Sequence, residues 1–305
     1  MRRLWAIAAL WVLMLVPVAA GAFDLQGHRG ARGMAPENTL VGFATALAVG
    51  VSTLELDVGV TKDGVVVVHH DRRLNPDVAR GPDGKWVTMP TPLIHELTFA
   101  ELERYDVGRL RPGSAYAAHF PDQAPSDGAR IPRLADLFAL ARKARNDEVR
   151  FNIETKISPA APSETLAPEP FARALVAVIR KAGMAERCTI QSFDWRTLKV
   201  VEREAPDIPT VYLTGRRHGA SQPKAVHDAG GRIWSPDYEQ VESTDIVEAR
   251  RLDLKVIPWV VDEPAFIERF LDLGVDGLIT DYPERVRAEL QRRGIPLPIP
   301  TPVEP

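Results

Sequence analysis

Nine short apolar stretches, each followed by a turn or a helical pattern, constrain this chain more than any other feature. They lie at residues 25–28, 53–58, 65–69, 149–154, 189–193, 210–213, 232–235, 256–260 and 277–280. Between most of them apolar residues recur at helical spacing. Leu40, Phe43, Ala44 and Leu47 do so ahead of Gly50, which is placed to end a helix, and Leu134, Leu137, Phe138 and Ala141 repeat the pattern. Thr98 with Glu101 forms a capping box ahead of Leu102. Strands alternating with helices make βα units with a parallel sheet, and about eight such units close a barrel. The expected class is α/β, a TIM-type (β/α)8 barrel, for which 305 residues are ample.

The count runs one strand over. Only residues 59–64 separate the second and third stretches, whereas a parallel crossover needs about a dozen residues and a hairpin only a few. Asp63-Gly64 is a hairpin-type turn signal. These two strands are therefore expected to fold back on each other, with the turn near Asp63 and Asp57 opposite His70. Residues 72–130 then break the barrel rhythm with Pro, Gly, Asp and Arg. They read as a loop and helix segment inserted after the third strand, a lid or wall beside a site. Residues 295–305 are proline-rich and read as a loose tail. The barrel domain proper is expected over 23–294.

The first residues have another job. Arg2 and Arg3 precede an almost unbroken apolar run at 4–18, and Ala20-Gly21-Ala22 supplies small residues for cleavage. This pattern is that of a secretory signal peptide over residues 1–22. It predicts an exported protein, periplasmic or secreted, with no stable membrane span once the signal is removed. The balance of 38 Lys and Arg against 41 Asp and Glu leaves a net charge of −3, and no basic face for nucleic acid is expected. Cys188 is the one cysteine, so no intrachain disulfide can form. Its setting in an apolar strand reads as core. Nothing in the sequence bears on oligomeric state.

Barrel active sites lie at the carboxyl ends of the strands, and the polar residues here fall at those ends. His28 and Arg29 end the first strand, Glu55 and Asp57 the second, and His70 the returning one. Glu154 and Lys156 follow the fourth, and Trp259 ends the eighth. Strand alternation puts Glu55 and Asp57 on one face, about 7 Å apart. With Glu154 they make a hard oxygen set suited to one divalent cation, Mg²⁺ or Ca²⁺. Arg29 can bind phosphate oxygens bidentately, Lys156 adds a point charge, and the two histidines can serve as general base and general acid. Taken singly each residue has a plainer account. Glu37 and Asn38 precede a helix as caps or first-turn acids would, Lys156 could be a surface ion pair with Glu154, and Trp259 suits either the core or a stacked substrate. His69 points to the face opposite His70, and His95, His119, His218 and His227 are bystanders.

The segments Gly27-His28-Arg29-Gly30, Pro36-Glu37-Asn38-Thr39, Glu55-Leu56-Asp57, Thr61-Lys62-Asp63-Gly64 and His70-Asp71 occur in that order. Asn152-Ile153-Glu154-Thr155-Lys156, Gln191-Ser192-Phe193 and Thr280-Asp281-Tyr282-Pro283 follow. With this set the chain resembles the glycerophosphodiester phosphodiesterase family over nearly its whole length beyond the signal. The resemblance implies a distorted (β/α)8 barrel that hydrolyses glycerophosphodiesters to glycerol 3-phosphate and an alcohol. It implies catalytic roles for His28 and His70, and metal ligation by Glu55, Asp57 and Glu154. Phosphate contacts would come from Arg29 and Lys156, and Glu37 matches a family acid. Two stretches depart from the family pattern. Arg72-Arg73-Leu74-Asn75-Pro76 stands where a Leu-Asp-Arg-Thr-like stretch is usual, and Trp259-Val260-Val261-Asp262 where Trp-Thr-Val-Asn is common. Both lie where a leaving alcohol would sit.

Two other readings share these residues. A phospholipase D-like activity on lysophospholipid or sphingomyelin would ask for an apolar rim, which residues 72–130 do not supply. A non-catalytic phosphoester-binding barrel would be expected to lack a histidine or a metal carboxylate, and all five are present.

Overall fold

The computed structural model describes residues 22–215 and 221–305, so residues 1–21 of the expected signal peptide at 1–22, and His218, lie outside the described residues. Among the described residues nine strands form one sheet: β1 (Asp24–Gly27), β2 (Thr53–Val60), β3 (Val66–Val68), β4 (Arg150–Thr155), β5 (Cys188–Ser192), β6 (Thr210–Thr214), β7 (Ile233–Pro236), β8 (Lys255–Val256) and β9 (Gly277–Thr280). Eight run parallel in the order β8-β7-β6-β5-β4-β2-β1-β9, and β3 lies antiparallel on β2. The two ends of that order meet. Asp276 N–H donates to Val256 O at 2.9 Å, Ile279 N–H to Pro258 O at 3.0 Å, and Val261 N–H to Ile279 O at 2.9 Å. The sheet is thus a nearly closed TIM barrel, with β3 as the extra strand.

Among the described residues ten α-helices complete it: α1 (Leu40–Val49), α2 (Phe99–Leu102), α3 (Ala115–His119), α4 (Leu134–Lys143), α5 (Pro168–Lys181), α6 (Trp195–Glu204), α7 (Gln222–Asp228), α8 (Ser243–Arg251), α9 (Pro264–Asp272) and α10 (Pro283–Arg292). Their limits follow local chemistry. Thr39 caps α1 by accepting from Gly42 N–H, and Gly50 ends it at φ 89°. Glu37 and Asn38 are therefore not the caps of this helix, because the β-region Ncap falls on Thr39. Among the described residues no helix is long and apolar enough to cross a membrane.

Alternation along the strands separates two environments. On β2, Leu54, Leu56 and Val58 belong to the main apolar core, with Phe151 and Ile153 of β4, where Phe138 of α4 meets Phe151 edge-on at 4.9 Å. The alternate positions are polar and equally buried. Asn152 Nδ2 donates to both Gln26 and Gln191 at 2.9 Å, and Thr189 Oγ1 donates to Asn152 Oδ1 at 2.8 Å. A hydrogen-bonded layer thus lies inside the barrel where aliphatic layers are usual.

The β2–β3 hairpin pairs Val58 with Val68, Gly59 with Val67 and Val60 with Val66. Its centre is Asp63, as expected. That register sets His69, not His70, across from Asp57, and His69 N–H donates to Asp57 O at 3.0 Å. Pairing ends at Val68, so alternation no longer governs where His70 points. The strand expected at 256–260 is also shorter, because Pro258 has no N–H to offer a ladder. Residues 295–305 are not loose. Ile295, Leu297 and Val303 pack on the main core, and Thr301 N–H donates to Leu47 O at 2.8 Å.

The loop after β1 packs tightly on the start of α1. Gly30 has φ +90°, and a Cβ there would lie 2.6 Å from Gly42 C and 2.9 Å from Phe43 N. A Cβ at Gly64, φ +82°, would meet nothing within 4 Å. Gly30→Ala is therefore expected to lower unfolding stability by about 3 kcal/mol, through the left-handed backbone and the contact together. Gly64→Ala should cost about 1 kcal/mol, through the backbone alone. Urea titration of the two variants measures the difference.

Candidate active site

At the carboxyl ends of β2 and β4 the parallel register pairs Asp57 with Glu154. Glu55 lies two residues before Asp57 on the same inward face. One ligand oxygen from each of these three buried carboxylates lies within 4.8 Å of the others. Each is oriented by donors. Glu55 accepts from Gln191 Nε2 at 2.6 Å and from Arg29 N–H at 2.9 Å. Asp57 Oδ2 accepts from Asn38 Nδ2 at 2.9 Å, and Glu154 Oε1 from Lys156 Nζ at 2.7 Å. Asp57 Oδ1 is buried and accepts no hydrogen bond. An all-oxygen set with an unused buried oxygen fits a hard divalent cation.

The electrostatics agree with that fit. Burial and the neighbouring Asp57 push Glu55 well above the usual carboxylate range. Burial also pushes Glu154 up to about 7, against the pull of Lys156. Burial disfavours charge on Asp57 as well, but Lys156, His70 and Arg29 together hold it well below its ordinary value. Lys156 is not a surface residue. It sits largely covered between Glu154 and Asp57, with Nζ 3.6 Å from Asp57 Oδ1.

Both histidines expected at the site open into one cleft of about 190 Å³, with Arg29, Arg32, Glu55, Glu154 and Lys156. Each imidazole is held at Nδ1 by a carboxylate. His28 meets Asp281 Oδ1 at 2.7 Å, and His70 meets Asp71 Oδ1 at 2.8 Å. A carboxylate only accepts, so Nδ1 carries the proton in each ring and Nε2 is left to the cleft. Burial lowers both pKa values, that of His28 to about 4 despite Asp281. His69, by contrast, turns its Nε2 to Arg73 O at 3.2 Å, and His95, His119 and His227 do not line the cleft.

Arg29, at φ 50°, is gripped from three sides. Nη1 donates to Glu37 Oε1 at 2.8 Å, Nε lies 3.2 Å from Asp57 Oδ2, and Tyr116 OH stands 3.4 Å from Nη1. Glu37 thus turns inward as the partner of Arg29. Tyr116 comes from α3, within residues 72–130, and also donates to Glu37. Arg32 forks onto Asp281 with bonds of 2.8 and 2.7 Å, and its guanidinium lies 4.6 Å over Phe120. Across the cleft Trp259 donates Nε1–H to Ser235 O at 3.0 Å and meets Phe193, 46% exposed, edge-on at 5.3 Å. At the rim Glu164, beyond Lys156, bonds Arg72 and Arg73, beyond His70, and ties the two loops together.

The nine expected residues therefore converge on one strand-end rim. Asp281, Arg32, Asn38, Asp71 and Tyr116 also belong to this rim, although the sequence assigns none of them a role at the site. An inward-facing polar at each strand end was signal enough for Asp281, while nothing local marks Tyr116. A larger hollow of about 610 Å³ lies at the other end of the barrel, beside residues 145–148 and 296–299, and holds none of these groups.

Such a rim suits a hydrolase acting on phosphate esters. The chain belongs to the glycerophosphoryl diester phosphodiesterase family, whose sequence profile matches residues 28–285. It is 30% identical over 267 residues to the glycerophosphodiester phosphodiesterase of Bacillus subtilis strain 168, covering 84% of this chain and 83% of that protein. The enzyme of that name from Caldanaerobacter subterraneus is 29% identical over 272 residues, 88% of this chain and 97% of its own. Among solved structures, one from Silicibacter pomeroyi DSS-3 assigned as a glycerophosphoryl diester phosphodiesterase matches with TM-score 0.85 and 40% identity, over 90% of this chain and 95% of that one. An Oleispira antarctica phosphodiesterase solved with sn-glycerol-3-phosphate shares the fold, with TM-score 0.69 and 21% identity over 88% and 96% of the two chains.

A neutral His28 has a consequence for stability. Its pKa is about 4 in the folded protein against an ordinary 6.5, so the unfolded chain takes up a proton that the folded state refuses. The ring's contribution is complete above pH ~6.5 and declines as pH falls toward 4, by about 3 kcal/mol in all at ~1.4 kcal/mol per unit. In a chelator, urea unfolding should show wild-type stability falling over that window, with His28→Gln flattening the fall.

Proposed function

We propose that this phosphodiesterase hydrolyses glycerophosphodiesters to glycerol 3-phosphate and an alcohol, with one divalent cation, Mg²⁺ or Ca²⁺, held by Glu55, Asp57 and Glu154. The carrying observation is the pair of imidazoles, each fixed at Nδ1 by a carboxylate and each presenting Nε2 to the cleft lined by Glu55 and Glu154, whose oxygens cluster with that of Asp57. When bound, the cation polarises a phosphoryl oxygen and offsets the charge gathering there. Arg29 and Lys156 bind the remaining phosphate oxygens. Glu37 and Tyr116 keep the Arg29 fork from turning.

One histidine accepts at Nε2 the proton of the attacking oxygen, from water or from the substrate's own neighbouring hydroxyl. The other, protonated at Nε2 as well as Nδ1 before the step, gives its Nε2 proton to the departing alcohol. Asp281 and Asp71 hold each ring with Nε2 toward the cleft and stabilise its doubly protonated form. Trp259 and Phe193 form an apolar shelf for the organic part of the substrate. The B. subtilis relative named for this activity, 30% identical over most of both chains, supports the substrate class. The arginine-tipped, apolar and small-residue pattern of residues 1–22 supports export to the periplasm or beyond.

Protein lacking residues 1–22 is expected to release glycerol 3-phosphate from glycerophosphocholine, with activity abolished by EDTA. His28→Ala and His70→Ala should each lose about 100-fold or more in kcat with little change in unfolding midpoint. Full activity in EDTA or in either variant would sink the mechanism. Faster turnover of lysophospholipid or sphingomyelin than of glycerophosphocholine would favour the lipid reading instead.

Cation binding has its own signature. MgCl₂ or CaCl₂ at about 100 times the dissociation constant should stabilise the fold by about 2.7 kcal/mol. Asp57→Asn and Glu154→Gln should remove that shift in a thermal melt.

A further inference from the structure

The seam where the barrel closes also reaches the site. β8 gives only two residues to the sheet, and beyond it residues 258–262 run beside β9, held by Ile279 N–H on Pro258 O and Val261 N–H on Ile279 O. At the end of this run a side chain replaces the backbone ladder. Asp262 Oδ1 accepts from the backbone N–H of Asp281 at 2.8 Å and from Thr280 Oγ1 at 2.9 Å. Thr280 Oγ1 in turn accepts from Tyr282 N–H at 3.1 Å. Three consecutive residues at the end of β9 are thus gathered around one carboxylate. The middle one is Asp281, which holds His28 Nδ1.

We infer that Asp262 is a positioning residue for His28: by gripping Asp281 N–H and Thr280 Oγ1 across the barrel seam, it sets the Asp281 carboxylate against His28 Nδ1 and aims Nε2 into the cleft. The inference rests on His28 acting as acid or base in the reaction proposed above. Asp281 has a competing partner. Arg32 takes both of its oxygens, and a small shift of the loop would keep that fork while drawing Asp281 away from His28. The grip of Asp262 on the loop backbone opposes such a shift. No residue in the grip hydrogen-bonds Glu55, Asp57 or Glu154, and its effect reaches His28 through the Asp281 carboxylate and through Thr280 O, which accepts from His28 N–H at 2.8 Å.

Asp262 sits at this place against its electrostatic preference. It faces Asp281, Arg32, Tyr238, Tyr282 and Arg285, and burial beside Asp281 pushes its carboxyl up to about 7. Oδ1 accepts the same two hydrogen bonds whether the acid is ionised or carries its proton on Oδ2. The grip therefore needs an acceptor oxygen and not a charge, and an amide can supply one.

Two variants separate these contributions. Asp262→Ala removes the acceptor, and Asp262→Asn keeps it. Each is assayed for kcat and KM on glycerophosphocholine with saturating MgCl₂ or CaCl₂. The downfield proton resonance of His28 Nδ1–H, identified by its loss in His28→Gln, is recorded for each. Asp262→Ala is expected to lose roughly 10- to 100-fold in kcat with KM within about 3-fold of wild type, and to lose or shift the resonance. Asp262→Asn should restore most of kcat and the resonance. The inference is overturned if Asp262→Ala keeps wild-type kcat or an unchanged resonance, or if Asp262→Asn is as impaired as Asp262→Ala. Should His28→Gln itself prove fully active, the reading of His28 in the reaction fails, and the resonance alone then decides whether Asp262 sets the Asp281–His28 pair.

Discussion

Three carboxylates buried at one end of a closed barrel are the constraint to which the rest of this structure answers. An ionised carboxylate taken from water into a protein interior costs several kcal/mol unless donors or opposite charges meet it. Glu55 is met by Gln191 and by the backbone of Arg29, Asp57 by Asn38, Arg29 and Lys156, and Glu154 by Lys156. Gln191 is itself oriented by Asn152, which also bonds Gln26. The polar layer inside the barrel is therefore the foundation of the acidic cluster, and an aliphatic side chain at Gln191 would leave Glu55 without its side-chain donor.

The same logic extends outward to the histidines and to residues 72–130. Each imidazole is fixed by a carboxylate, and each carboxylate is fixed in turn, Asp281 by Arg32 and Asp262, Asp71 by Asn75 at 2.7 Å. Residues 72–130 carry a small apolar cluster of their own, including Leu74, Val78, Ile94 and Leu102. They reach the site where Tyr116 joins Glu37 and Arg29 and Phe120 lies under Arg32, and at the rim where Arg72 and Arg73 bond Glu164. A wall that contacts Arg29 and Arg32 links the segment's packing to the geometry of the cleft.

Local rules carried the reading far where the physics is local. The six residues at 59–64 are too few for a crossover, so the hairpin was legible, and its centre at Asp63 is where the turn chemistry of Asp63-Gly64 places it. The partner of Asp57 was misassigned by one residue because β3 stops at Val68, and His70 reaches the cleft from a loop whose direction no strand period governs. Glu37 and Asn38 looked like helix caps because they precede α1. Only the placement of Thr39 as the cap frees them to turn toward Arg29 and Asp57. The tail looked loose by composition, yet its apolar residues find the core. Tyr116 left no trace in the sequence, since its partner Glu37 lies 79 positions away.

By itself the sequence determined the order of strands and helices, the extra hairpin and the family. These follow from side-chain periodicity, turn residues and motif order, which act over a few neighbouring positions. It also determined which polar residues would stand at strand ends, because alternation puts Glu55 and Asp57 on one face whatever the rest of the chain does. Only the tertiary structure decided how those groups serve one another. The pairing of His28 with Asp281, 253 positions apart, and the closing of the barrel at Asp262 depend on where distant strand ends meet. Such contacts are set by barrel closure and by the need of buried charges for partners, neither of which any short window of sequence contains.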